Sequence, residues 1–504
     1  MIATLRKQWG TATCVVLAVY FVAWSLLPAL LGNSLPLDVV EGIHWGREWQ
    51  AGYYKHPPLP SWLLYPAYAA LGWVGPMLLS QLCIMLALFF VYRLGQRLLS
   101  SERAAIGTLL VMGIYYYSWP SVEFNHNIAQ LPIWAALGYY GFLSLQEPHL
   151  RHWLLLGLWC GLGMLTKYSV AIMIMVLLGY MVISPYRRLW RTPGPWLTIA
   201  VSLLVFAPNG LWLVQHDWLP LHYAAERSAT SQRTAALELV ITQVLMHLPL
   251  LLIVLVSRPW KLAPSSEPRT WRLLTPHASY LWTIALAPFL LVVAMSVVTG
   301  KDMRQMWASP MWNFSGLLAV ALLPANWLPT HERLAKRGIA IWLLLVTMLM
   351  VVFVQWGLQL RGKPSRMHWP AKAIVTQVQS TWQTLSSCPL QVISGDSWLA
   401  GLAAMPASAR APHLLIDNIP SYAPWVTPAL LQQGTLWIWN ANEPQPTTPE
   451  ALRQIDNPAI FSIHEGVWTF SWGPSKRTLE PLRIGWRAYV PSQACIPQFS
   501  TSKP

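Results

Sequence analysis

Between Leu37 and Trp62 the sequence reads LDVVEGIHWGREWQAGYYKHPPLPSW and gathers the side chains best suited to chemistry. Three carboxylates (Asp38, Glu41, Glu48) can take or position a proton. Two cations (Arg47, Lys55) can meet a phosphate, and two imidazoles (His44, His56) can donate or accept. Each charge at the centre of a bilayer costs roughly 2.5–3.5 kcal/mol on insertion scales, so no membrane-crossing helix holds this set. Yet the segment directly follows an apolar run, Thr11–Leu31, near the ~20 residues that cross a bilayer. It is therefore expected at a membrane surface, where acids, bases and rings can handle a polar headgroup attached to a lipid. Trp45, Trp49, Tyr53 and Tyr54 fit either interfacial anchors or plates for a sugar.

The elements that must hold this loop follow from composition. Of 504 residues, 55% are hydrophobic and only 11% charged, whereas soluble domains carry about 25% charged residues. The chain reads as a polytopic α-helical membrane protein. A net charge of +15 would admit nucleic acid, but no basic run or RNA-binding signature accompanies it. The positives read as membrane-flanking anchors, and no nucleic-acid partner is expected. Five cysteines form no CxxC pattern; Cys388 and Cys495 could pair in an oxidising compartment.

Beyond the first run, apolar stretches at Pro76–Val91, Ala104–Trp119, Ile128–Leu145, Trp153–Leu165, Tyr168–Ile183, Trp196–Val214, Leu237–Val256, Tyr280–Val298, Trp307–Leu323 and Ile339–Gln359 predict about eleven spans. Trp62–Val74, short and broken by Pro66, predicts an interfacial helix instead. If the N-terminus is cytoplasmic, most Lys and Arg in short loops fall inside (Arg6, Lys7, Arg93, Arg97, Arg187, Arg188, Arg191, Arg333, Lys336). Asp38, Glu41, Glu48, Glu123, Asp217, Glu226 and Asp302 then fall outside, so chemistry is expected on the outer face. The division predicted is a transmembrane domain, 1–360, with a catalytic first outer loop, 33–75, and a small extracytoplasmic α/β domain, 361–504. In the latter a helix-like stretch (Ala371–Ser387) precedes strand-like PLQVISG, HLLIDN, TLWIWN, AIFSIHE, VWTFSW and RIGWRAYVP.

An aspartate, then Arg-Glu-aromatic, then Lys/His-Pro-Pro-Leu just after the first span resembles the GT-C membrane glycosyltransferases. Here those residues are Asp38, Arg47, Glu48 and Lys55-His56-Pro57-Pro58-Leu59. The fragments Phe124–Trp134, Gly161–Ser169 and Gly300–Pro310 are also similar to the family, and the likeness runs from Thr11 to Pro324. Its nearest branch contains the lipopolysaccharide aminoarabinose and galacturonic acid transferases and the protein O-mannosyltransferases. The resemblance implies a bacterial inner-membrane enzyme that moves a sugar from a polyprenyl-phosphate donor to a lipid or glycan acceptor on the periplasmic face, with inversion. It points to Asp38 as the acceptor-activating carboxylate, with Glu41 and Glu48 as further candidates. One carboxylate suffices, because the polyprenyl phosphate is already a stable leaving group.

Lys55, Lys167, Lys301 and Arg304 are the candidate phosphate partners, together with Arg47 and His56. Lys167 ends an apolar span and fits a phosphate ligand or a snorkelling anchor equally; Lys301 and Arg304 flank Asp302 and also fit a salt-bridged turn. Asn127 stands where the family often has a second acid, with Glu123 four residues earlier as a substitute. His44, His56, His126 and His222 lack metal-ligand spacing, so no metal or other cofactor is required, although a divalent ion remains compatible. A protein O-glycosyltransferase of the same fold is the alternative acceptor reading. A lipid-linked sugar transporter or flippase fits less well, since mid-span charges and an internal repeat are both lacking.

Overall fold

A computed structural model of the chain describes residues 11–227, 234–257, 276–323, 327–405, 411–473 and 479–492. The first long helix, α1 (Thr11–Leu31), is followed by a 12-residue helix, α2 (Leu37–Glu48), and a 13-residue one, α3 (Leu59–Leu71). Pro66 inside α3 removes a backbone donor, and the helix stops at Gly72, whose φ of 58° few side chains adopt. The main helical series follows as α4 (Val74–Leu98), α5 (Ser101–Leu110), α6 (His126–Gln146), α7 (Leu150–Thr166), α8 (Val170–Ile183) and α9 (Pro193–Gln215). It continues with α10 (Leu219–Arg227), α11 (Ala235–Met246), α12 (Leu248–Val256), α13 (Pro276–Thr299), α14 (Ser315–Leu322) and α15 (Trp327–Arg361).

Six of the described helices (α1, α4, α6, α9, α13, α15) are long and apolar enough to cross a membrane, so the protein is multi-pass. Two bent pairs, α8 with the 3-10 turn Pro185–Arg191 (99°) and α11 with α12 (47°), raise the candidates to eight. About eleven spans were expected from apolar length; the difference lies in two segments that are greasy but not continuous helix and in one helix of 17 residues. Ala104–Trp119 is helical only to Leu110, then breaks into 3-10 turns through Gly113 and Pro120. Trp307–Leu323 is a 3-10 stretch around Pro310 followed by the eight residues of α14. The Trp153–Leu165 stretch is α7, at 17 residues about 25 Å long. Arg6, Lys7 and Cys495 lie outside the described residues.

The chain divides into two units. One comprises Met1–Pro28, Gln50–Leu63 and Ala67–Met350; the other Ala29–Trp49, Leu64–Pro66 and Val351–Pro504. In the first, α6 packs on α4 and α7, and α7 on α9. Close approach of α7 and α9 depends on glycine: a Cβ at Gly157 would lie 2.6 Å from the Thr198 carbonyl oxygen, and one at Gly161 2.6 Å from Val205 Cβ.

In the second unit α16 (Ala371–Leu385) buries Ala371, Ile374, Val378 and Trp382 at helical spacing. The sheet that follows has the order β2-β1-β3-β5-β4, from β1 (Val392–Gly395), β2 (His413–Ile416), β3 (Thr435–Asn440), β4 (Phe461–Phe470) and β5 (Leu482–Pro491). Val392 lies opposite His413 and Thr435 in parallel pairs, whereas Thr435–Tyr489 and Phe461–Pro491 are antiparallel. Every residue of β1 is buried, as a central parallel strand covered on both faces requires. A five-residue helix, α17 (Leu399–Ala403), connects β1 towards β2 and packs against α2.

Candidate active site

Pro36, extended at ψ 161°, starts α2, so Asp38 falls in its first turn, where the helix dipole favours an anion. Asp38 is half-buried, whereas Glu41, one turn on, is buried. The opposite edge of α2 is fixed to distant chain. His44, buried, donates from Nε2 to the Gly401 carbonyl at 2.8 Å. Burial pushes its pKa down to about 4, so the ring is neutral and that nitrogen carries the proton. Arg47 donates to the carbonyls of Pro412 (2.9 Å) and Ala411 (2.6 Å), and Glu48 Oε1 accepts from His413 Nδ1 at 2.8 Å. A Cβ on Gly401 would meet Val40 Cγ1 at 2.8 Å, so α17 presses directly on α2. The helix ends at Trp49 in a left-handed conformation (φ 46°).

Arg47 and Glu48, expected at the phosphate and the chemistry, are thus engaged with the β2 edge. The partner residues His413 and Gly401 were not anticipated; nothing in their local sequence marks them, because the contacts span more than 350 residues. Trp45, Tyr53 and Tyr54 are buried and only Trp49 is exposed, so three of the four rings expected at an interface are packing groups.

The other half of the motif is built in the first unit. Asn209 on α9 donates to the Ala51 carbonyl at 2.7 Å and accepts from Tyr168 at 3.1 Å, while Trp62 Nε1 donates to the Gln50 carbonyl at 3.0 Å. Tyr53 and His56 exchange backbone hydrogen bonds, closing a turn that carries Lys55. Its ammonium lies 4.9 Å from the Tyr54 ring centroid and 5.6 Å from that of Tyr223.

Asn125 caps α6, accepting from the amides of Asn127 (2.9 Å) and Ile128 (3.2 Å), and thereby fixes His126 and Asn127 in the first turn. His126 Nε2 contacts the Pro57 carbonyl at 3.3 Å, and its ring centroid is 4.0 Å from that of His56. The buried Lys167, just past the end of α7, donates to Asn127 Oδ1 and lies 5.8 Å from the Trp307 ring. Burial, then the positive fields of His126, Lys167 and Lys55, hold His56 well below the usual imidazole range.

Lys55, His56, Asn127 and Lys167 therefore converge, with His126, Tyr223 and Trp307 as members the motif did not reveal. Lys301 and Arg304 are exposed, in the segment leading to Trp307. Glu123, partly exposed, ends the 3-10 turn before α6. Among the described residues no group of three or more His, Cys, Asp and Glu is arranged to hold a metal ion.

Each unit offers its own chemistry: the second a half-buried carboxylate on a braced helix, the first a cationic cluster suited to an anionic oxygen. Residues 55–212 match the family model described as dolichyl-phosphate-mannose-protein mannosyltransferase. The lipopolysaccharide core galacturonosyltransferase RgtA of Rhizobium johnstonii is 24% identical over 82% of this chain and 85% of its own length. An undecaprenyl phosphate-alpha-4-amino-4-deoxy-L-arabinose arabinosyl transferase of Pseudomonas aeruginosa is 28% identical over 32% of this chain and 30% of its own. The crystal structure of ArnT from Cupriavidus metallidurans bound to undecaprenyl phosphate superposes with a TM-score of 0.63 at 14% identity, covering 94% of this chain and 97% of that one. The fold is ArnT-like, and over most of its length the chain is similar to a lipopolysaccharide core galacturonosyltransferase. The family likeness seen at Lys55–Leu59, Phe124–Trp134 and Gly161–Ser169 lies within the matched region.

Proposed function

We propose that the enzyme transfers a sugar from a polyprenyl-phosphate donor to an envelope acceptor, lipid A, lipopolysaccharide or another glycan, at the periplasmic face of the bacterial inner membrane. The cluster of Lys55 and Lys167 around a neutral His56 supports this reading most directly. Two ammonium groups held at a polar surface of an otherwise apolar helical unit suit a lipid-linked phosphate, as positive partners for its oxygens. Neutral His56 can add a hydrogen bond without a further charge.

Asp38 takes the acceptor hydroxyl's proton as that oxygen attacks the anomeric carbon, and the polyprenyl phosphate leaves from the opposite side. Configuration inverts in this single displacement. The phosphate departs as an anion stabilised by the lysines, so no acid is needed at the leaving oxygen. Arg47 and Glu48 serve by positioning α2; Glu41, Glu123, Lys301 and Arg304 are assigned no contact with the reacting atoms. In this reading the N-terminus lies in the cytoplasm and residues 361–504 in the periplasm.

The test is mass spectrometry of envelope lipids and glycans from cells with and without the gene, paired with turnover of a radiolabelled polyprenyl-phosphate sugar by the purified protein. Loss of one sugar mass from an envelope lipid supports the reading. Loss of a sugar from protein alone would favour the protein O-glycosyltransferase alternative suggested by the family model's name. Absence of turnover with any such donor would overturn both.

A further inference from the structure

The helices that carry Asn127, Lys167 and Asn209 at one end enclose a separate cavity at the other. It is a narrow cleft of about 160 Å³ and lies among α6, α7, α8 and α9. Its walls include Gly141, Trp153, Cys160, Leu178, Trp190 and Thr198. Gly141 is fourteen residues along α6 from Asn127, about 21 Å at helical rise, so this cavity belongs to the opposite half of the bilayer from the lysine cluster. The wall is hydrocarbon in character: the Thr198 hydroxyl is turned away to the Trp153 carbonyl at 2.8 Å. Leu178 and Leu203, both on the wall, are exposed on the outer surface of the helices, so the cavity opens sideways to where acyl chains lie.

Its rim is strongly basic. Trp190 sits on the 3-10 turn Pro185–Arg191, which also carries the exposed Arg187, Arg188 and Arg191. From Pro148 to His216 the sequence contains no acidic residue, and Glu147, just before, already pairs with Arg97 at 2.7 Å. Trp196 donates to the Trp190 carbonyl at 3.1 Å and packs edge-on against its ring, placing two indoles beside the arginines. Indoles of this kind favour the headgroup layer. We propose that this cavity and its arginine rim form a binding site for one anionic phospholipid, with an acyl chain between α7 and α8 and the headgroup phosphate at Arg187, Arg188 and Arg191. Charge and depth select a phospholipid over the polyprenyl donor, whose phosphate would sit at the other end of the same helices.

The test is native mass spectrometry of the full-length protein with phosphatidylglycerol or phosphatidylethanolamine of identical acyl chains. The wild type should retain one phosphatidylglycerol at least about tenfold more strongly, as three interfacial arginines imply. The triple variant Arg187→Gln, Arg188→Gln, Arg191→Gln should reduce that preference to about twofold, and Leu178→Trp should lower retention of both lipids. Thermal midpoints of the wild type with each lipid give a readout free of any folding defect in the variants, with the larger rise expected for phosphatidylglycerol. Equal retention and equal midpoints for the two lipids, or an unchanged preference in the triple variant, would overturn the site.

Discussion

The ammonium of Lys167 donates to the amide oxygen of Asn127, across the junction between the end of α7 and the first turn of α6. The partner is an amide rather than a carboxylate, so that residue orients the lysine without adding a negative charge. A lysine so held is oriented as a donor that a phosphate oxygen can share. Replacing it by methionine, of similar length, should weaken binding of polyprenyl phosphate by roughly 10- to 100-fold, the worth of one charge-assisted hydrogen bond. Titration of the purified protein with the unglycosylated carrier checks this, and kcat at saturating donor should fall less than KM rises.

Arg47 and Glu48 are expected to behave as braces. Arg47→Ala removes two bonds to the Ala411 and Pro412 carbonyls and should lower stability by about 1–3 kcal/mol, with carrier affinity unchanged. Glu48→Gln keeps an acceptor for His413 Nδ1 and should retain transfer within about threefold. Thermal unfolding and carrier titration on the same samples separate bracing from phosphate contact.

His44 makes the second unit sensitive to acid. Its pKa falls from 6.5 to about 4 on folding, mainly through burial, so the unfolded chain binds the extra proton first as pH drops. The stabilising contribution is complete above pH 6.5 and is lost as pH falls towards 4, amounting to about 3 kcal/mol at most. His44→Gln keeps a donor for the Gly401 carbonyl and should flatten the stability profile between those limits. Acid titration followed by thermal unfolding measures it.

Gly52 tests how tightly the Lys55 turn is seated. A Cβ there would lie 2.3 Å from the Trp212 ring, which is itself stacked on His216 at 4.1 Å, so the ring has little freedom to yield. Gly52→Ala should displace the turn by a fraction of an ångström or more and reduce transfer by up to about 100-fold. A transfer assay on membranes with matched protein levels checks the outcome.

Much of this was legible in the sequence because charge is so costly in lipid. Lys55, His56, Asn127 and Lys167 stand at the edges of apolar runs, and an edge is where a polar site can exist. The strands of residues 392–491 were visible in their β-branched and aromatic runs, although AIFSIHE and VWTF form one strand, β4, rather than two. Span counting failed where hydropathy and continuity part: Gly113, Pro120 and Pro310 interrupt stretches whose apolarity alone suggested spans. Arg47 and Glu48 could not be assigned from spacing, since their partners at Ala411–His413 are brought near only by the fold. Tyr223 and Trp307 were hidden for the same reason, being two more aromatics in a chain with 31 tryptophans and 18 tyrosines.

Asp38→Asn is the most direct test of the central claim, because it keeps the size and the helix while removing the base. Carrier binding and membrane insertion should match the wild type, and single-turnover transfer should fall by about 10²- to 10⁴-fold, the range for loss of a positioned general base. Transfer within threefold of wild type, at equal protein level and carrier occupancy, would contradict the account.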